Sequence, residues 1–175
     1  MIKYFLIFSI LIINSSFSIP AGIVKKADKV IAKFYDVENF KKEVIRIPQE
    51  INELTKSEFG DENFFKITSE NTFLGYGYIG SGRSKAATFD YLVLFDSELV
   101  ITKSKVLVYR EEYGGEISSK RWLKQFDGKS TKSDELRYNE DIIPISGATI
   151  SVRAMTQSMN DLLRSLALIE QKNIL

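Results

Sequence analysis

The sequence predicts an α+β fold: a central antiparallel sheet, flanking helices and a long C-terminal amphipathic helix. Residues 72–110 are dense in β-branched and aromatic side chains and are interrupted by short turn sequences, which is typical of strands joined by tight turns. After Gly147, apolar side chains recur every three or four residues without Gly or Pro, a pattern that favours one long helix. A chain of 175 residues is expected to form a single hydrophobic core.

The N-terminus predicts an export signal. An apolar run over residues 4–13 follows Lys3, and the small residues Ser16 and Ser18 come after it, so we expect residues 1–18 to be a cleaved signal peptide. The alternative is a retained anchor, because the uncharged stretch is just long enough to cross a bilayer. Both interpretations place the rest of the chain in the periplasm or at the outer face of the cytoplasmic membrane.

We expect residues 71–175 to form the main domain and residues 19–70 to form an extension packed on it. An amphipathic helix is expected over residues 21–34, where apolar side chains share one face and lysines lie opposite. Alternation over residues 42–47 predicts a short strand, and a helix is expected over residues 49–59.

The main domain is expected to contain three strands of an antiparallel meander, a short helix, a polar loop and the terminal helix. The expected bounds are 72–79, 87–95 and 100–109 for the strands, 118–126 for the short helix, 129–141 for the loop, and Ala148 to Gln171 for the terminal helix. One apolar face of that helix is expected to pack on the sheet.

The composition excludes several classes of function. The chain has no His and no Cys, so it has no Ser-His-Asp or Cys-His catalytic system, no disulfide and no iron–sulfur cluster. Loss of Lys3 with the signal peptide leaves 23 basic and 23 acidic residues, so the net charge indicates no nucleic-acid partner. Carboxylate chemistry, hard-metal chemistry or a cofactor with its own reactivity remains.

Three patterns resemble catalytic motifs without their context. Gly75 to Gly80 matches GxGxxG, but it lies in a predicted strand that another strand follows, whereas a dinucleotide site needs a helix there. Gly128-Lys129-Ser130 lacks the first glycine of a phosphate loop, since that position is Leu123. Glu111 and Glu112 would point to opposite faces of a strand, so solvated charges are favoured over a catalytic pair.

The segment Ser146-Gly147-Ala148-Thr149-Ile150-Ser151 directly precedes the terminal helix. Free backbone N–H groups and the helix dipole favour an anion at such a position, and small residues let a phosphate approach closely. The alternative is an ordinary helix cap formed by Ser146 or Thr149.

This segment resembles the flavinylation motif of the FMN-binding domain family, which includes the C subunit of sodium-translocating NADH:quinone oxidoreductase and the G subunit of Rnf-type complexes. The resemblance implies that FMN is joined through its phosphate to Thr149 by a separate flavin transferase, which uses FAD and magnesium outside the cytoplasmic membrane. Gly147 and Ala148 would then lie beside the phosphate, with Ser146 and Ser151 as hydroxyl donors.

A second segment is similar to the same family. Glu112-Tyr113-Gly114-Gly115-Glu116-Ile117 resembles its glycine-containing loop, and Gln125-Phe126-Asp127-Gly128 resembles the helix end that follows. The resemblance therefore covers about residues 72–170 and implies that Glu112, Tyr113 and Gly114 contact the cofactor. Two positions depart from the family. Tyr113 replaces a usual proline, and Ile143 stands where members often have Asp, with Asp141 two residues earlier.

The resemblance predicts an exported flavoprotein that relays electrons between redox proteins of the cell envelope, rather than a complete enzyme with catalytic residues of its own. The ring partners we consider are Tyr76, Tyr78, Tyr113 and Trp122, although packing is the commoner role of such residues. The expected partners are the flavin transferase and envelope redox proteins, and the oligomeric state is open. Two alternatives remain: an exported binding or structural domain whose turn is only a cap, and a reductase component with non-covalent FMN.

Overall fold

The computed structural model describes residues 19–60 and 62–175, so the predicted signal peptide, residues 1–18, lies outside the described residues. Five strands form one sheet in the order of the chain, and all neighbouring strands are antiparallel. The elements are α1 (Ala21–Tyr35), β1 (Lys41–Val44), α2 (Gln49–Asn52), β2 (Phe64–Ser69), β3 (Thr72–Arg83), β4 (Thr88–Phe95), β5 (Ile101–Tyr109), α3 (Lys120–Leu123) and α4 (Thr149–Gln171). The predicted α+β class, antiparallel sheet and C-terminal helix are confirmed.

Both faces of the sheet are covered, because alternate side chains of a strand point to opposite faces. On one face, α1 buries Ile23, Ala27 and Ile31 against residues of β2 and β4. On the other face, α4 packs on the sheet and forms the larger core. The apolar residues of α4 in that core are Val152, Met155, Met159, Leu162, Leu163, Leu166 and Ile169. The sheet therefore carries α4 and orients its N-terminal end.

Glycines of β3 make room for aromatic rings of the neighbouring strand. A Cβ atom on Gly80 would lie 2.5 Å from the ring of Tyr91, and one on Gly82 would lie 2.4 Å from the ring of Phe89. Another strand, β4, follows β3 directly along the chain. The glycines therefore serve packing, and the expectation that this segment is not a dinucleotide site is confirmed by its context.

The helix predicted over residues 49–59 is wrong beyond Asn52. The Asn52 side chain accepts a hydrogen bond from the N–H of Phe59 at 2.9 Å and donates one to the carbonyl of Phe59 at 3.0 Å. The hydroxyl of Thr55 donates to the carbonyl of Asn52 at 2.6 Å. Such side-chain bonds compete with helical backbone bonds and end the helix early.

The strand predicted over residues 42–47 is shorter and begins one residue earlier, as β1. The next strand, β2, was not predicted at all. Phe64 is buried on the face of α4, whereas Phe65 and Ile67 are buried on the face of α1. Apolar and polar residues alternate only over residues 65–68 of β2, where Lys66 is exposed, and Phe64 interrupts the pattern. Such a short alternation is a weak signal for a strand.

The short helix predicted over residues 118–126 is broken into three pieces. The one-turn helix α3 lies between 3₁₀ turns at Gly115–Ser118 and Lys124–Phe126. The loop predicted over residues 129–141 is confirmed. Over residues 19–60 and 62–175, no helix is both long enough and apolar enough to span a bilayer.

Candidate functional site

The N-terminal end of α4 is open. Thr149 is the first helical residue and is exposed, Ala148 occupies the N-cap position, and no side chain forms a cap hydrogen bond. The bond from the N–H of Val152 to the carbonyl of Ala148, at 2.9 Å, is the first of the helix. The N–H groups of residues 149–151 donate to no acceptor in the described residues. The alternative that Ser146 or Thr149 caps the helix is therefore wrong.

The turn before α4 faces solvent. Ser146 and Gly147 are exposed, whereas Ala148 is buried. Gly147 has φ of +79°, and an added Cβ atom would meet no atom within 4 Å. The left-handed conformation of Gly147 lets the chain change direction just before α4 begins. The outer side of the turn stays accessible to solvent.

The glycine-containing loop packs directly against this turn. Gly114 has φ of +85°, and an added Cβ atom would lie 2.6 Å from Tyr109 Oη, 2.9 Å from Ser151 Oγ and 3.7 Å from the Cα of Ala148. Only glycine combines this backbone conformation with such close contacts. The structure therefore brings together the two segments that carry the family resemblance, residues 112–117 and 146–151.

A chain of hydroxyl groups joins this loop to α4. Tyr109 Oη donates to the carbonyl of Tyr113 at 2.6 Å and lies 2.7 Å from Ser151 Oγ, which lies 2.8 Å from Ser84 Oγ. Because a phenol has one proton, Ser151 must donate to Tyr109, and Ser84 must then donate to Ser151. The Ser151 hydroxyl is buried and points inward, so at the helix end Ser151 offers its backbone N–H.

The two neighbouring glutamates have separate positions. Glu111 Oε1 accepts hydrogen bonds from the N–H groups of Ala86 at 2.8 Å and Ala87 at 3.0 Å. These bonds, that of Ala87 first, hold the pKa of Glu111 below its ordinary value. Glu112 is exposed. Glu111 therefore fixes the β3–β4 turn that carries Ser84. Both acids follow the end of β5 at Tyr109, so the strand expected at these positions is wrong, and Glu111 is bonded to the backbone rather than only solvated.

The segment leading to the turn is held at Ile143. The N–H of Ile143 donates to Gln125 Oε1 at 2.7 Å, and the carbonyl of Ile143 accepts from Trp122 Nε1 at 2.8 Å. Asp141 instead accepts from the backbone N–H of Arg137 at 2.9 Å and from its Nε at 3.0 Å. The guanidinium of Arg137 lowers the pKa of Asp141. Asp141 thus bonds to Arg137 within the polar loop. Ile143 is the residue whose backbone is anchored before the turn.

Three of the four aromatic residues considered as ring partners pack inside the protein. Tyr76 stacks near Phe64, Tyr78 is buried and donates to the carbonyl of Glu58 at 3.0 Å, and Trp122 is buried. Burial raises the pKa of Tyr78. Tyr113, by contrast, is 75% exposed. Of these four residues, it alone presents its ring to solvent beside the turn.

Two further apolar side chains are exposed close to the turn along the chain. Ile143 is 68% exposed and Ile150 is 49% exposed. Together with Tyr113, which directly precedes Gly114, we call these exposed residues the apolar border of the turn. Exposed apolar groups beside open backbone N–H groups suit a ligand that has a flat apolar part and an anionic part.

A comparison with known families identifies the family of the segment that contains this turn. Residues 85–164 match the family of the FMN-binding domain. The chain contains an FMN-binding domain. The matched segment includes β4, β5, the glycine-containing loop and the turn, and it ends inside α4. No curated protein matches the chain.

The residues present fit the phosphate of FMN. Three open N–H groups, an exposed hydroxyl and the positive end of a long helix dipole are grouped at one place. The protein is therefore a flavin-binding protein, and its FMN-binding domain lies in the part of the fold that contains α4 and the sheet's larger core.

Sequence analysis missed Tyr109 and Ser84, which support the site from beneath. Tyr109 is the half-buried last residue of β5, directly before the glycine-containing loop, and its place at the end of a predicted strand was the signal available. Nothing in the sequence distinguishes Ser84 from other serines of turns. Gln125 was noted only as part of a motif, and the structure now gives it a partner, the backbone of Ile143.

Proposed function

We propose that the FMN-binding domain carries FMN covalently on Oγ1 of Thr149 and, after export, relays electrons between redox proteins of the cell envelope. One observation carries the proposal: the Thr149 hydroxyl is exposed at the open end of α4 and bonds to no described residue. The likeness of residues 146–151 to the flavinylation motif supports this choice of residue.

The attachment step balances with FAD as donor and a flavin transferase as catalyst. The Thr149 hydroxyl attacks the phosphorus of the FMN half, a phosphoester bond forms, and the bond to the AMP half breaks. The hydroxyl proton is released, and AMP leaves. The chain thereby gains FMN less one water, and the linked phosphate keeps a negative charge.

The residues around Thr149 hold that charge. The open N–H groups of residues 149–151 point out of the first turn of α4 and donate to an anion at that position. Gly147 adds no side chain on the outer side of the turn. Gly114, Tyr109 and the hydroxyl of Ser151 fix the turn from the inner side.

The apolar border gives the ring system a place to lie. When bound, FMN supplies one-electron and two-electron chemistry that a chain without His or Cys does not provide itself. The exposed side chains of Tyr113, Ile143 and Ile150 offer apolar surface for the ring system. Their exposure also leaves the site open to redox partners, which favours a relay over a closed active site.

Denaturing-gel fluorescence tests the proposal. The chain is produced with its signal peptide in cells that contain a flavin transferase, together with Thr149→Ala and the matched control Thr131→Ala, which changes a threonine of the polar loop. We expect flavin fluorescence on the denatured wild-type and Thr131→Ala chains and none on Thr149→Ala.

Other results would contradict the proposal in distinct ways. Flavin that leaves the wild-type chain on denaturation would show non-covalent binding. Fluorescence on the Thr149→Ala chain would show that another residue is modified. An exported wild-type chain without flavin would favour a binding or structural role.

A further inference from the structure

A group of lysines surrounds a hollow on the side of the sheet that carries α1. The hollow has a volume of about 510 Å³ and lies between α1, β5 and α3. Its lining consists of Lys29, Lys33, Lys103, Lys105 and Lys120, with Val30, Phe34, Ser104 and Leu123 between them. We call this feature the lysine groove.

The positive charge of the lysine groove is not neutralised locally. No carboxylate lines it, and none of its five lysines forms a salt bridge with a residue in 19–60 or 62–175. Asp127 does not line the groove; burial raises its pKa, although the charges of Lys103 and Lys124 act in the opposite direction. Because basic and acidic residues nearly balance over the whole chain, such a concentration of one sign is a local feature that attracts anions.

The edge position of β5 explains only part of the groove. β5 ends the sheet, and lysines on an edge strand discourage pairing with another chain. Lys103 and Lys105 fit that role. Lys29, Lys33 and Lys120 belong to helices and do not guard a strand edge. Their convergence on one hollow therefore needs another explanation.

We propose that the lysine groove is a docking site for a partner protein that presents a protruding segment rich in Asp and Glu. Carboxylates complement the five lysines in charge. The groove is concave and has apolar side chains between the lysines, including Phe34, which is 39% exposed. A narrow polypeptide segment enters such a hollow, whereas a flat bilayer surface contacts only its rim.

Binding of a fluorescein-labelled oligoglutamate peptide, followed by fluorescence anisotropy at low salt, tests this proposal with the full mature chain. The groove variant is Lys33→Glu with Lys105→Glu. The matched control is Lys25→Glu with Lys66→Glu, which makes the same change of net charge at exposed lysines outside the groove. We expect the groove variant to bind at least about tenfold more weakly than the wild type, and the control to bind as the wild type does.

Three results would overturn the proposal. Equal weakening in both variants would show attraction by net charge alone. No binding to the wild type would show that the groove does not recognise an acidic segment. Binding to phosphatidylglycerol vesicles but not to oligoglutamate would assign the groove to a membrane surface. If the groove variant does not fold, as judged by its unfolding transition, Lys33→Gln with Lys105→Gln replaces it, with Lys25→Gln and Lys66→Gln as control.

Discussion

The two ends of α4 use their polar side chains in opposite ways. In the C-terminal half, the Asn160 side chain bonds to both backbone groups of Leu136 at 2.9 Å, and Ser165 Oγ accepts from the N–H groups of Lys56 and Ser57 at 3.0 and 2.9 Å. At the N-terminal end, the Thr149 hydroxyl bonds to no described residue. The side chains of Asn160 and Ser165 thus hold the fold together. In the first turn the Ser151 hydroxyl also bonds inward, whereas Thr149 and the open N–H groups are accessible to a ligand.

Removal of the Asn160 amide should have the largest effect on stability. Asn160→Ala leaves the N–H and carbonyl of Leu136 buried without partners, so we expect the free energy of unfolding to fall by about 3 kcal/mol. Urea denaturation of flavin-free protein measures this free energy of unfolding, and Gln157→Ala, on the exposed side of the helix, is the control. A fall no larger than that of the control would refute a structural role for this end of α4.

The contact between the loop and α4 should have the next largest effect. Gly114→Ala introduces a Cβ atom where Tyr109 and Ser151 lie, whereas Gly128→Ala, at a similar φ of +81°, meets no atom within 4 Å. We expect the Gly114 change to cost about 2 kcal/mol and the Gly128 change about 1 kcal/mol. The difference measures the packing of the loop on the turn. Equal costs would mean that the loop does not support the site.

The hydroxyl of Tyr109 should have a smaller effect. Tyr109→Phe removes the bonds to the carbonyl of Tyr113 and to Ser151, and we expect a loss of about 1 kcal/mol in urea denaturation. Tyr113→Phe, at a 75% exposed ring, is the matched control and should cost almost nothing. If both variants were equally stable, the hydroxyl chain would not hold the loop.

Thr149 should have the smallest effect on stability. Because its side chain caps nothing, we expect Thr149→Ala to change the free energy of unfolding of flavin-free protein by less than about 0.5 kcal/mol. Loss of a true cap would cost about 1 kcal/mol. A loss of that size would contradict the contrast between the two ends of the helix.

Periodicity predicted α4 well because one face of that helix packs on the sheet, and most of its buried positions are apolar. The same rule failed for β2, where Phe64 and Phe65 are buried on opposite faces of the sheet. The helix after Pro48 failed because the side chain of Asn52 bonds to Phe59 rather than leaving the backbone to continue the helix.

The site was predictable as far as its motif extends. The small-residue segment and the long helix after it placed Thr149 at a helix start. The sequence could not show that Gly114 lies against Ala148, because this contact depends on the register of β5 beside β4 and on how α4 crosses the sheet. The inward direction of the Ser151 hydroxyl has the same origin, since its two partners, Ser84 and Tyr109, belong to separate segments of the chain.

Intact mass with peptide mapping tests the central claim most directly. The chain is isolated after export from cells that contain a flavin transferase. We predict that the peptide containing Thr149 is heavier by one FMN less one water, and that the mature chain begins at residue 19. An unmodified peptide in exported protein, or flavin attached to any other peptide, would contradict the account.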